Sequence, residues 1–88
     1  MTRPISDLRN LGPVAERMLL EIGVRSEDDL RALGAVAAFT RLRSTGRRVS
    51  LNALYAMDAA LSGRHWLDLE EERRSELKAA AAFDGEEL

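Results

Sequence analysis

Four glycines, Gly23, Gly34, Gly46 and Gly63, each stand just behind a run of residues at helical spacing. This punctuation limits the chain to brief helices folded back on one another. The stretch Leu8 to Gly34, LRNLGPVAERMLLEIGVRSEDDLRALG, shows the pattern most clearly and reads as a helical hairpin. Gly12 serves as N-cap and Pro13 takes the first helical position, where a missing N–H costs nothing. Val14, Met18, Leu19 and Ile22 follow as one apolar stripe. Gly23 then ends the helix, because left-handed backbone is cheap only without a Cβ. Ser26 caps the second helix, and Glu27, Asp28 and Asp29 complement the positive end of its dipole. Leu30 and Leu33 face inward. A hairpin this short cannot bury its own stripe, so later helices must cover it.

The spacing supplies three more helices. Ala35 to Thr45 carries Val36, Phe39 and Leu42 on one side, and Gly46 closes it. Ser50 is the expected cap of a helix from Leu51 to Ser62, apolar over most of its circumference through Leu51, Leu54, Tyr55, Met57 and Leu61. Ala53, Ala56, Ala59 and Ala60 let neighbours approach closely, so this helix is expected at the centre, with the opening hairpin packed on it. Arg64-His65-Trp66-Leu67 forms a connection. Asp68 is the expected N-cap of a last helix from about Leu69 to Ala82, with Glu70, Glu71 and Glu72 in the first turn and Lys78 towards the end. Ile5 and Leu8 of the entry segment tuck against the first helix, Ser6 can cap a short turn, and Phe83 packs back. The expectation is an all-α fold: a compact five-helix orthogonal bundle over residues 1–83, with an acidic tail, 84–88, that frays.

With 88 residues the chain forms one domain with one core and little surplus. It contains no cysteine, which removes disulfide scaffolds and thiolate metal sites. No apolar run follows the N-terminal Met-Thr-Arg-Pro and none reaches the ~20 residues that span a bilayer, so a cytoplasmic protein is expected. The net charge is only −2, yet residues 30–57 hold five arginines and no acid, whereas residues 58–88 hold nine acids and four bases. The middle third is where an anionic partner would be received.

Arg41, Arg43, Arg47 and Arg48 are therefore the candidate contacts for nucleic acid or an acidic partner, although Arg41 and Arg43 point to different sides of a regular helix. Solvated arginines that balance the acidic last helix are the plainer explanation. Glu70, Glu71 and Arg74 on that helix are candidate protein contacts. Trp66 is expected as a plug beside the core whose indole N–H finds a carbonyl. His65 has no cysteine or second histidine with which to share a metal, and no metal or cofactor is expected. Ser50, His65 and Asp68 supply the residue types of a hydrolytic triad, but no motif orders them, and no enzyme activity is expected.

In combination, N-L-G-P at residues 10–13, the G-V-R-S-E-D-D-L run at 23–30, L-N-A-L-Y-A at 51–56 and H-W at 65–66 resemble the C-terminal domain of the TfoX (Sxy) proteins, bacterial regulators associated with natural competence. The resemblance covers roughly residues 8–80. It implies a SAM-like or helix-hairpin-helix type of bundle in a setting of transcriptional control of DNA uptake. It also implies an N-terminal α/β domain in full-length members, which has no counterpart in this sequence. Helix-hairpin-helix modules that grip DNA often use a Gly-hydrophobic-Gly turn whose amides meet a phosphate. Here the turn reads Gly23-Val24-Arg25, and Glu27, Asp28 and Asp29 stand where phosphate would sit. Two functions are compatible with this pattern. The preferred one is a protein-interaction module that docks onto another regulator or onto itself; the other is a weak DNA-backbone contact through the arginine-rich middle. Neither involves a membrane or a small-molecule substrate.

Overall fold

The protein is represented by a computed structural model that describes residues 3–85, with side chains described through Ala82. Five α-helices succeed one another: α1 Pro13–Leu20, α2 Glu27–Leu33, α3 Ala35–Ser44, α4 Leu51–Leu61 and α5 Glu71–Gly85. Two 3₁₀ turns, Ile5–Asp7 and Trp66–Asp68, precede α1 and α5. Among the described residues the only β pairing is an isolated bridge between Pro4 and Ser26. The all-α, five-helix architecture expected from the glycine spacing is present.

The helix stops repeat one device. After α1, Val24 N–H donates to the Leu19 carbonyl at 2.9 Å and Gly23 N–H to Leu20 at 3.1 Å, with Gly23 at φ +86°. After α4, Arg64 N–H reaches back to Ala59 at 2.8 Å and Gly63 N–H to Ala60 at 3.1 Å. Both are the paired bonds of a Schellman motif, which satisfy carbonyls the helix leaves open. Gly34 is used differently: at φ +91°, ψ 152° it alone joins α2 to α3. Residues with a Cβ hardly ever adopt that conformation.

Ile5, Leu19, Leu30, Phe39, Leu42 and Leu54 are the largest fully buried side chains, and Leu8, Leu69, Leu77 and Ala81 extend the same core. Burying a side chain of this size stabilises the fold by about 1.5–3 kcal/mol. The Ile5–Asp7 turn packs on α1 as expected, and Leu8 beyond it is buried in the core. The hub, however, is α3 rather than α4 alone. Helix α3 packs against α1, α2, α4 and α5, whereas α4 meets α2, α3, α5 and the Trp66–Asp68 turn. Buried Ala35 and Ala38 keep the α3 surface low enough for neighbours on several sides.

Val14, expected inward, is 69% exposed. It lies five residues from Leu19, about 140° around the helix, so both cannot face one core, and Leu19 is the one fully buried. Ser50 occupies the N-cap position of α4 but its side chain makes no capping bond. Asp68 does not cap the last helix. Its amide closes the 3₁₀ turn on the His65 carbonyl at 2.9 Å, and Leu69 behind it is extended and buried. The helix starts only at Glu71, with the Glu70 carbonyl accepting from Arg74 N–H at 3.0 Å. Ser6 lies inside its 3₁₀ turn and lends only its amide, to Glu16 Oε2 at 3.3 Å. Trp66 packs half-buried against the core, but no carbonyl among the described residues receives its indole N–H. Helix α5 continues to Gly85; residues 86–88 of the acidic tail and the Phe83 side chain lie outside the described residues.

Candidate functional site

Asn10 is the one non-glycine residue with positive φ, +75°, among the described residues. Its Nδ2 donates to the Arg64 carbonyl at 2.7 Å, while its Oδ1 accepts from Trp66 N–H at 3.0 Å. One carboxamide thereby pairs with the 64–66 backbone as a neighbouring strand would. It clamps the connection between α4 and α5 to the start of the hairpin, so the N-L-G-P and H-W motifs, 54 to 56 residues apart, form one device. His65 belongs to it too: Nδ1 accepts from Leu67 N–H at 3.2 Å, and its ring stacks on Trp66 with centroids 6.4 Å apart. The His65 side chain is thus the cap of this turn.

Three amide donors around the start of α2, those of Arg25, Glu27 and Asp29, are used within the fold. Ser26 Oγ accepts from Asp29 N–H at 3.4 Å, Asp29 Oδ2 accepts from Arg25 N–H at 3.0 Å, and Glu27 N–H donates to the Arg3 carbonyl at 2.9 Å. The Glu27 carboxylate, with 18% of its side chain exposed, also receives Arg31 Nη2 at 2.7 Å and Arg3 Nε at 3.2 Å. Those two bonds, Arg31 first, hold its pKa below the ordinary glutamate value. A phosphate at this turn would have to break bonds the fold uses to fasten its N-terminal segment.

The four candidate arginines fall into three situations. Arg43 Nη2 donates to the Ala81 carbonyl at 3.0 Å and its guanidinium lies 4.8 Å from the Phe39 ring centre, tying α3 to α5. Arg47 Nη2 pairs with Glu21 Oε2 across the bundle surface. The side chains of Arg48 and Arg41 are exposed and make no hydrogen bond or ion pair with the described residues. Arg43, Arg47 and Arg48 surround a shallow hollow of about 540 Å³ together with Gly46, Val49 and Ser50. Arg41 lines a different hollow, beside Asp29 and Ile22. The structure therefore gathers three of the four and separates the fourth.

The acidic helix is likewise divided. Arg74 Nη2 donates to the Trp66 and Leu67 carbonyls at 3.3 and 3.4 Å, and its guanidinium stands 5.7 Å from the Tyr55 ring centre, so it fastens α5 to the connection before it. Glu70 borders a hollow with Asp58, Arg64 and Arg73, while Glu71 borders another with Tyr55, Leu67 and Lys78. Arg73 grips Asp58 through two bonds of 2.7 and 3.0 Å, which push its pKa above the ordinary arginine value. Among the described residues no group of three histidine or acidic side chains could hold a metal ion, and no helix is long and apolar enough to cross a membrane. Large apolar side chains stand in solvent at Val14, Leu20 (51% exposed) and Leu67 (61% exposed).

Comparison with known proteins bears on the whole of this arrangement. The family model described as "TfoX C-terminal domain" matches residues 1–81. Protein Sxy of Escherichia coli (strain K12) is 34% identical over 73 residues, which are 83% of this chain and 35% of that protein. DNA transformation protein TfoX1 of Aliivibrio fischeri (strain ATCC 700601 / ES114) is 34% identical over 76 residues, 85% of this chain and 36% of that one. The chain thus spans about a third of the length of these curated relatives. An uncharacterized protein from Listeria monocytogenes, solved in a triclinic form, superposes with a TM-score of 0.83 at 31% identity, covering 93% of this chain and 94% of that one. A Listeria monocytogenes protein of unknown function in a tetragonal form gives 0.82 at 32% identity, covering 90% and 98%. Sequence and backbone agree along nearly the full length, and the chain belongs to the TfoX C-terminal domain family.

Proposed function

We propose that this domain is a non-catalytic docking module that binds a partner protein in the regulation of DNA uptake. The link to DNA uptake rests on the family and on the relative whose name is that of a DNA transformation protein. The observation that carries the docking reading is the bonding at residues 25–29, where three backbone amides a phosphate would need are already used within the fold. The exposed Val14, Leu20 and Leu67 support it, since large apolar side chains in solvent are the material of protein contacts. A weak contact with the DNA backbone is the second reading, and it draws on the uncommitted cations Arg41 and Arg48. Two such cations hold a duplex feebly, because duplex affinity at physiological salt comes from many neutralised phosphates.

An NMR titration of the labelled domain with a short duplex, at low salt and again at higher salt, separates the readings. Docking predicts no salt-sensitive shifts. In a parallel arm, photo-crosslinking side chains placed at Val14 and Leu67 in cells should yield protein adducts. Salt-sensitive shifts clustered at Arg41 to Arg48, without protein adducts, would replace docking by DNA contact.

A further inference from the structure

We propose that the hollow bounded by Arg43, Arg47 and Arg48 receives a carboxylate-bearing segment of a partner protein, and that Glu21, paired with Arg47 at its margin, is an internal competitor which the partner displaces. The proposal deepens the docking reading and rests on it.

The hollow lies in the loop between α3 and α4 and contains no acidic side chain of its own. Arg43 contributes positive potential but is held by the Ala81 carbonyl and the Phe39 ring, so it is a fixed wall rather than a ligand. Arg48 is exposed and uncommitted. Arg47 already holds an anion: Glu21, just past the end of α1, extends a carboxylate onto its Nη2. Both members of this pair are well exposed, 37% and 45% of their side chains, and the bond draws on no buried group. A pair of this kind is worth little and exchanges readily with an incoming anion. Nothing else fastens Glu21 there. Its amide belongs to the helix end, and its side chain makes no other bond with the described residues.

Protein carboxylates fit better than phosphates on three counts. The anion that Arg47 already accepts, through a single Nη2 contact, is a carboxylate, a group that a guanidinium pairs with well. Half-buried Val49 gives the hollow an apolar side, which suits an acidic segment carrying an aliphatic residue and offers a phosphate nothing. Only Arg47 and Arg48 can turn outward, too few for the multiple contacts that hold a duplex. The competition also sets a sign that simple charge attraction shares only in part: removing Glu21 strengthens binding, and it does so through Arg47.

The test is fluorescence anisotropy of a labelled acidic hexapeptide containing one leucine, titrated at low salt with the wild-type domain, Glu21→Gln, Arg48→Gln and the double variant Glu21→Gln/Arg47→Gln. Loss of a surface competitor predicts binding roughly two- to five-fold tighter for Glu21→Gln. Arg48→Gln should bind several-fold more weakly, and the double variant should lose the gain. Circular dichroism melts confirm that each variant is folded; Glu21 and Arg48 lie on the surface, so all four are expected to be. The proposal is overturned if neither wild type nor Glu21→Gln binds the peptide, if the gain persists without Arg47, or if a duplex of equal charge binds more tightly than the peptide with the same dependence on Glu21. In the first case, protein adducts at Val14 or Leu67 would keep the docking reading alive and place its surface elsewhere.

Discussion

Replacing Asn10 by alanine should cost the fold about 2–3 kcal/mol. The substitution removes the bonds to the Arg64 carbonyl and the Trp66 amide, the first in an exposed position and the second partly buried. At about 0.5–1 kcal/mol each, the pair contributes about 1–2 kcal/mol. Alanine must in addition hold φ +75°, where asparagine is tolerated and a plain Cβ costs roughly another 1 kcal/mol. Domains of this size are stable by about 4–13 kcal/mol, so the loss is a large share. Thermal unfolding followed by circular dichroism should show a midpoint lower by about 10–20 °C. Asn10→Gly separates the two causes, because glycine accepts the backbone angle but cannot make the bonds; its loss should be about 1–2 kcal/mol. If both variants melt within about 2 °C of wild type, the clamp between the N-L-G-P and H-W motifs contributes nothing and the reasoning fails.

Glu27→Gln should lower the melting temperature most near neutral pH. The pKa of Glu27 is depressed in the fold by Arg31 and Arg3, so its contribution is fully present above the unfolded value and is lost as pH falls through the folded one. The gap between wild type and variant should therefore close on acidification below the usual glutamate range, and a gap that widens instead would contradict the assignment. Gly34→Ala should destabilise by about 1–3 kcal/mol in denaturant titration. The cost is purely one of backbone conformation, since a Cβ there would meet no atom within 4 Å; an unchanged midpoint would count against the φ of +91°. Arg43→Met should cost about 1–2 kcal/mol through loss of the Ala81 bond and the charge over Phe39, whereas Arg48→Gln should leave stability within about 0.5 kcal/mol. Equal effects of the two in urea unfolding would refute the division of the arginines into structural and free.

Much of the fold is legible in the sequence because its determinants are local. The glycines past each helix, Pro13 at a helix start, Ser26 ahead of three acids and the 3.6-residue apolar spacing act within a turn or two, and they fix the number, order and approximate ends of the helices. The four motifs carry enough of the family's pattern for its membership to be read from them. Where sequence reasoning goes astray, the deciding partner is distant. Asp68 has every local credential of an N-cap, yet burial of Leu69 and the 3₁₀ turn before it delay α5 to Glu71. Val14 belongs to a plausible apolar stripe, but only the packing of α1 against the Ile5–Asp7 turn and α3 shows that Leu19 takes the core and Val14 the solvent. Asn10 is visible in the sequence only as part of the N-L-G-P motif, and nothing near it announces its left-handed backbone or that its amide will meet residues 64 and 66.

The candidate site follows the same rule. The sequence alone determines that residues 30–57 carry five arginines without an acid, and that the turn at Gly23-Val24-Arg25 lacks a second glycine. Which of those arginines is spent depends on groups brought near by folding: Ala81 for Arg43, Glu21 for Arg47, and no described group for Arg41 or Arg48. Charge composition is additive along a chain, whereas the availability of a charge is set by its neighbours in space, and those neighbours are a property of the tertiary structure.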